Sequence, residues 1–292
     1  MGTRSFWVEA IGAEVRFRNA GGFRTRSIEA GSGHPIILLH GLSGHAESFI
    51  RNVVPLAGAR RVYALDMLGH GLTAKPAVDY TIDALADHVL GFMDAIGAQS
   101  ADFIGQSLGG WVAGWLAARQ PGRVSRYVCA TGAGLEVSPE GAALTREIGK
   151  KVADATNRAT GHATRENVRE RLQWLMYDKS VVTDELVDVR HAIYSDPAFE
   201  AIARRLVDGI TGPDAPSPRL TPDVLARIEC PTLVLWTRHN PTMPWHVGEA
   251  ASRLIPNCSY YLMEDAGHWP QFEKPDEFNA VVLDFLRGTG SA

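Results

Sequence analysis

Ser107 stands in the run Gly105-Gln106-Ser107-Leu108-Gly109, a serine with a glycine two residues away on each side. The apolar stretch before it reads as a strand, and Gly109-Gly110 opens a predicted helix. A strand-to-helix turn this tight needs near-absent side chains at the flanking positions, and Gly105 and Gly109 supply them. Such a turn lifts the serine hydroxyl above the sheet. It leaves the next peptide N–H, that of Leu108, aimed at whatever the oxygen attacks. The chemistry this allows is nucleophilic attack on a carbonyl carbon. His268, in Gly267-His268-Trp269, follows the strand-like residues 259–263 and is the candidate proton-transfer group. A third feature is His40-Gly41-Leu42, directly after the apolar run at 35–39.

These groups need elements to hold them. Residues 7–30 alternate loosely around Gly21-Gly22 and read as strand, hairpin and strand. Short apolar runs at 36–39, 61–65, 101–104, 124–129, 232–236 and 259–263 read as further strands. A helix is predicted over 82–96, where Leu85, Val89, Phe92, Met93 and Ile96 keep helical spacing. Others run from Leu108 to the Pro121-Gly122 stop and over 276–286. Strands alternating with helices argue for an α/β fold with a parallel sheet. Residues 135–215 break that rhythm, being charged and helix-favouring with no clear strand. Thr211-Gly212-Pro213-Asp214-Ala215-Pro216-Ser217-Pro218 reads as a linker, and Thr221-Pro222-Asp223 as an N-cap with Pro at N1. The expected division is core over 1–134, helical lid over 135–215 and core again over 216–292. The lid would cover the carboxyl edge of the sheet, where open α/β sheets bind ligands.

Composition narrows the classes. In 292 residues the apolar share is 45%, enough for a large core. Net charge is −4 with basic residues scattered, which suggests neither a nucleic-acid nor an acidic-membrane surface. Cys129, Cys230 and Cys258 lie in or beside apolar stretches and are expected as buried free thiols. The N-terminus has no apolar signal-like region and no segment reaches 18 apolar residues, so a cytoplasmic location is expected. No Gly-x-Gly-x-x-Gly or phosphate-binding loop occurs, so no cofactor is expected. His45, His162, His191 and His239 show no metal-ligand spacing, so no metal is expected.

Together these residues resemble the α/β-hydrolase family over nearly the whole chain. The resemblance implies the α/β-hydrolase fold, a mostly parallel eight-stranded sheet with an inserted helical lid. It implies an oxyanion hole from the Leu42 and Leu108 amides, with His40 bracing the loop. Within the family the chain is similar to the meta-cleavage-product hydrolases, which cut a carbon–carbon bond in vinylogous 1,5-diketone acids during aromatic-ring degradation. The similarity lies in Gly267-His268-Trp269-Pro270-Gln271-Phe272-Glu273, which runs into the last helix, and in the lid stretch 174–190. It implies that Arg190 binds a substrate carboxylate, with Trp269 and Gln106 at the pocket wall.

The chain departs from that pattern at three places. The loop His40-Gly41-Leu42-Ser43-Gly44-His45 is poorer in glycine, and Gln106 stands where Asn is usual. At the usual position of the triad acid stands Asn240, and the alternative position falls near Thr131. The expected catalytic set is therefore Ser107, His268 and Asn240. An Asn Oδ1 can fix the histidine tautomer but cannot stabilise the imidazolium by charge. That implies either an activated substrate, such as a poised ketone or an electron-poor ester, or a surrogate acid among Glu264 and Asp265. Asp66 and His70 read as structural, Trp111 and Trp115 as core. Trp174, Met176, Tyr177 and Tyr194 fit a pocket roof or a helix-face core equally.

The expected function is hydrolysis at a carbonyl carbon of a small molecule, which can be anionic, by a serine hydrolase of the carbon–carbon type. The alternatives are a carboxylesterase, lactonase or amidase, a cofactor-free lyase or oxygenase on the same fold, and a ligand-binding pseudoenzyme. A homodimer is compatible with the sequence.

Overall fold

A computed structural model describes residues 4–161, 163–212 and 215–288. Eight strands form one sheet: β1 (Glu14–Ala20), β2 (Phe23–Gly31), β3 (Pro35–Leu39), β4 (Arg61–Leu65), β5 (Ala101–Gln106), β6 (Val124–Ala130), β7 (Thr232–Thr237) and β8 (Cys258–Met263). Their order is β1-β2-β4-β3-β5-β6-β7-β8. β1 and β2 form an antiparallel hairpin, β2 pairs antiparallel with β4, and every other neighbour is parallel. β5 and β7 are buried along their whole length. That is the burial expected of central parallel strands with helices on both faces. The carboxyl ends of β3, β5, β6 and β7 lie side by side, so the loops that follow them meet in one place.

The crossover helices Ile82–Ala95, Leu108–Arg119 and Pro275–Arg287 match the predicted ones to within a residue or two. The sequence reading missed the helix Ile50–Ala57, which is short and carries Pro55 inside it. It also expected strand from residue 7, where Phe6–Glu9 is one helical turn, its first turn capped by Ser5 Oγ accepting from Trp7 N–H.

After β6 the described residues form the helices Pro139–Gly161, Arg165–Leu175, Asp184–Tyr194 and Pro197–Thr211, one following another. Thr164, Thr183 and Asp196 cap the last three by accepting backbone N–H groups. A lone parallel bridge between Leu135 and Leu220 ties the two ends of the insertion together. Pro213 and Asp214 of the expected linker, and His162, lie outside the described residues. Thr221 does precede a short helix with Pro222 at its first position, but its side chain makes no capping bond. Cys129 is buried, Cys230 and Cys258 are partly buried, and all three are free. Among the described residues no helix is long and apolar enough to cross a membrane.

Candidate active site

The elbow is built as its glycines require. A Cβ on Gly105 would collide with the Gly109 carbonyl, and one on Gly109 with the backbone of Leu39 on the neighbouring strand. Ser107 holds φ +53 and ψ −115, a conformation that L-residues rarely adopt. Besides Ser107, only Ser43 and Thr131 among the described non-glycine residues have positive φ, and both lie in loops after β3 and β6. Strain is thus concentrated around one point. Ser107 Oγ makes no hydrogen bond with any described residue. It faces a cavity of about 730 Å³ that is also lined by Leu42, Leu108, Gln106, Arg190, His268 and Trp269. Leu108 is the first residue of its helix, so its N–H is one that the helix leaves unpaired.

His268 hangs on a backbone bond from its N–H to Leu175 O (2.7 Å) and on two donors to its own carbonyl, Gln106 Nε2 and Thr131 Oγ1 (each 2.9 Å). Asn240 Oδ1 and Thr242 Oγ1 each lie 2.9 Å from Nδ1. The Thr242 backbone N–H also donates to Asn240 Oδ1 at 3.1 Å. That N–H can only donate, so the Asn240 atom it meets is the oxygen. An amide oxygen can only accept, so Nδ1 carries the proton and Nε2 is the lone-pair nitrogen. Burial and then the positive charge of Arg171 push the His268 pKa down to about 3.

Among the described residues no carboxylate takes the place of Asn240. Glu264 is turned to the surface, where it pairs with Arg238 at 3.0 Å, and Asp265 is exposed. Thr131, at the other position where the acid can stand, is spent on the His268 carbonyl. His40 braces the loop as expected: its Nδ1–H donates to Gly41 O (2.8 Å) and its Nε2 accepts from Met67 N–H (3.1 Å). Asp66 is buried and structural, paired with Arg26 at 2.7 Å and accepting from Ala46 and Leu72 N–H. His70 is buried too, 4.8 Å from the His40 ring.

Arg190 is 2% exposed. Its NH1 donates to Ser43 O (3.3 Å) and Tyr194 OH (3.0 Å), its NH2 to Ser48 Oγ (3.3 Å), and its guanidinium lies 4.7 Å over the Trp269 ring. Nε has no partner. Trp111, expected in the core, is buried but also lines the cavity, its Nε1–H donating to Pro218 O (2.7 Å) at the end of the insertion. Trp115 is half-buried and bonds Asp83. Of the roof candidates, Tyr194 supports Arg190 from behind, Met176 is buried, and Tyr177 is half exposed and stacked on His239. His45 bonds Glu47 and His191 bonds Ala163 O. Among the described residues no group of three or more metal-ligating side chains exists.

Three residues of the site escaped the sequence reading. Thr242 is signalled only by the Asn-x-Thr spacing. Arg171 is one cation among many on a charged helix. Glu273 sits in the quoted C-terminal run, yet nothing there shows that it accepts the N–H groups of Gly267, Trp269, Tyr177 and Asp178. Burial outweighs those four bonds and pushes its pKa up to about 7.

Residues 34–275 match the alpha/beta hydrolase fold family. The chain is 30% identical to a 2-hydroxymuconate semialdehyde hydrolase of Pseudomonas sp. strain CF600, covering 97% of this chain and 96% of the relative. It is 31% identical to a 2-hydroxy-6-oxo-6-(2'-aminophenyl)hexa-2,4-dienoic acid hydrolase of Metapseudomonas resinovorans, covering 93% and 90%. Among solved structures, a serine hydrolase involved in carbazole degradation superposes with a TM-score of 0.81 at 28% identity, over 94% of this chain and 99% of that one. A meta-cleavage product hydrolase from Pseudomonas fluorescens IP01 superposes at 0.76 and 28%, over 94% and 98%.

Proposed function

This chain belongs to the alpha/beta-hydrolase family, and from that membership we propose that it hydrolyses a carbon–carbon bond beside a ketone in a keto acid of the meta-cleavage-product type. Arg190 carries the reading. A buried guanidinium with an unpartnered Nε shares a cavity with Ser107 and His268, as an anchor for a substrate carboxylate requires. Relatives along the whole chain act on substrates of this class.

In this reading the helical insertion over residues 135–215 is the lid, and the carboxylate docks at Arg190 beneath it. His268 Nε2 accepts the Ser107 proton, or the proton of the substrate's enol, which it returns to carbon as the ketone forms. Oxygen adds to the ketone carbon, and the oxyanion is held by the Leu42 and Leu108 amides, the latter at the positive end of its helix. The carbon–carbon bond then breaks, its electron pair passing into the unsaturated acid, which takes the proton from His268. The acyl half leaves as a carboxylic acid, directly where the added oxygen came from water, or after a water activated by His268 hydrolyses the acyl ester where it came from Ser107. Asn240 and Thr242 keep Nδ1 protonated without adding negative charge. A substrate that is already electron-poor at the ketone suits such a histidine.

The test is a panel of meta-cleavage products, p-nitrophenyl esters and small lactones. Ser107→Ala should lose at least about 10³-fold in kcat on every substrate that turns over. Arg190→Ala should raise KM for the keto acids by about 10- to 150-fold, the equivalent of one charge-assisted hydrogen bond, and leave neutral esters nearly unchanged. Turnover of esters alone, indifferent to Arg190, would make the protein a carboxylesterase.

A further inference from the structure

Arg190 is not the only buried cation in the cavity wall. Arg171, on the helix Arg165–Leu175, is 7% exposed and lines the same cavity as Ser107 and His268. Its Nε and NH1 have no hydrogen-bond partner, and it forms no ion pair with any described residue. The groups whose charge it feels are the Tyr194 phenol and two further cations, Arg190 and Arg158. Its other side borders a smaller cavity of about 440 Å³, where Asp154 and Glu170 also lie, yet neither pairs with it.

A buried lysine in this position could shed its proton. An arginine cannot, because its guanidinium stays charged at any pH a protein survives. Its charge therefore needs an anion, and among the described residues no carboxylate pairs with it; Glu136 and Glu147 of the same cavity wall pair with Arg219 and Lys151 instead. Arg190 has partners on NH1 and NH2, and Tyr194, whose hydroxyl bonds Ser43 and Arg190, also meets Arg171, a neutral phenol that brings no negative charge to either arginine. Burial raises the Tyr194 pKa, but the two guanidiniums outweigh it and the net shift is downward. One monocarboxylate on Arg190 would leave Arg171 uncompensated.

We propose that Arg171 is a second anion-binding contact of the substrate, and that the preferred substrate is a dianion with a carboxylate on Arg190 and a second negative group on Arg171. This rests on the proposed function for the first contact and names the substrate class within it.

The experiment reads binding without turnover. Calorimetric titration compares straight-chain dicarboxylates with monocarboxylates of the same length on the wild-type protein, Arg171→Gln, Arg171→Lys and Arg190→Gln. In the wild type the best dicarboxylate should bind at least about 10-fold tighter than its monocarboxylate, the value of one charge-assisted contact. Arg171→Gln should erase that preference and leave monocarboxylate binding within about 3-fold, and Arg171→Lys should keep part of it. Arg190→Gln should weaken both acids. With the uncompensated charge gone, Arg171→Gln should melt no lower than the wild type. A dicarboxylate preference that is absent, or that survives Arg171→Gln, overturns the proposal. So does a variant that melts far below the wild type, since that would make Arg171 structural. Dicarboxylate binding that depends on Arg171, together with no cleavage of any keto acid, would instead sink the carbon–carbon reading and leave this site standing.

Discussion

Asn240 Oδ1 and Thr242 Oγ1 share the Nδ1–H of His268 at 2.9 Å each. The histidine is thereby oriented by neutral groups, and burial holds its pKa at about 3. Its lone pair is available across the whole neutral range, but the imidazolium that the proposed reaction would form has no counter-charge among the described residues. Asn240→Asp supplies one. A carboxylate beside Nδ1 favours the protonated ring, so the His268 pKa rises and the acid limb of kcat/KM moves to higher pH. The rate on simple esters should increase where imidazolium stabilisation is limiting. An acid limb that stays where it is would show that Asn240 does not act on His268.

At the scale of elements, one side chain joins the helical insertion to the histidine loop. Glu273 Oε1 accepts from Gly267 N–H (2.9 Å) and Trp269 N–H (3.3 Å), on either side of His268. Its Oε2 accepts from Tyr177 N–H (2.7 Å) and Asp178 N–H (3.3 Å), just past the helix that carries Arg171 and Leu175. A glutamine has one accepting oxygen, so Glu273→Gln strands two of the four donors. At about 1–3 kcal/mol for each buried donor left unpaired, the variant should be clearly less stable by chemical denaturation. It should also lose kcat, because the loop that aims His268 is loosened. Wild-type stability together with wild-type kcat would rule out this strap.

Across the whole molecule the buried titratable groups set how stability follows pH. His40, His45, His70, His88 and His268 are all buried, and burial lowers every one, with His70 and His88 at about 4 and His268 at about 3. Each gives stability that is present above the unfolded value near 6.5 and lost as pH falls through its folded value, at up to about 1.4 kcal/mol per pH unit per group. Glu273 works the other way. Its contribution is full below about 4.5 and is lost as pH rises through about 7, and buried Asp66 shifts in the same direction. The histidines outnumber the acids, so the melting temperature should fall steadily from pH 6.5 to pH 4. In Glu273→Gln an opposing contribution is removed, and the fall should be steeper. A melting temperature flat across that range would mean that these histidines are not buried in the neutral form.

Sequence alone determined the parts whose physics is local. Gly105 and Gly109 announce the elbow because only a missing side chain lets backbone pass so close to backbone. The central strands announce themselves because burial on both faces demands continuous apolar runs. The order of Ser107 before His268, and Asn240 after β7, was legible for the same reason: position along the chain follows strand by strand. The tertiary structure decided what depends on groups far apart in the chain. Nothing near residue 171 or 190 shows that both guanidiniums line one cavity and pair with no carboxylate among the described residues. Nothing in the C-terminal run shows that Glu273 gathers donors from residues 177 and 178. Trp111 has helical core spacing, and only the packing of the insertion turns one side of it to the cavity. Burial and charge balance are sums over neighbours that the fold brings together, and a one-dimensional pattern does not contain those sums.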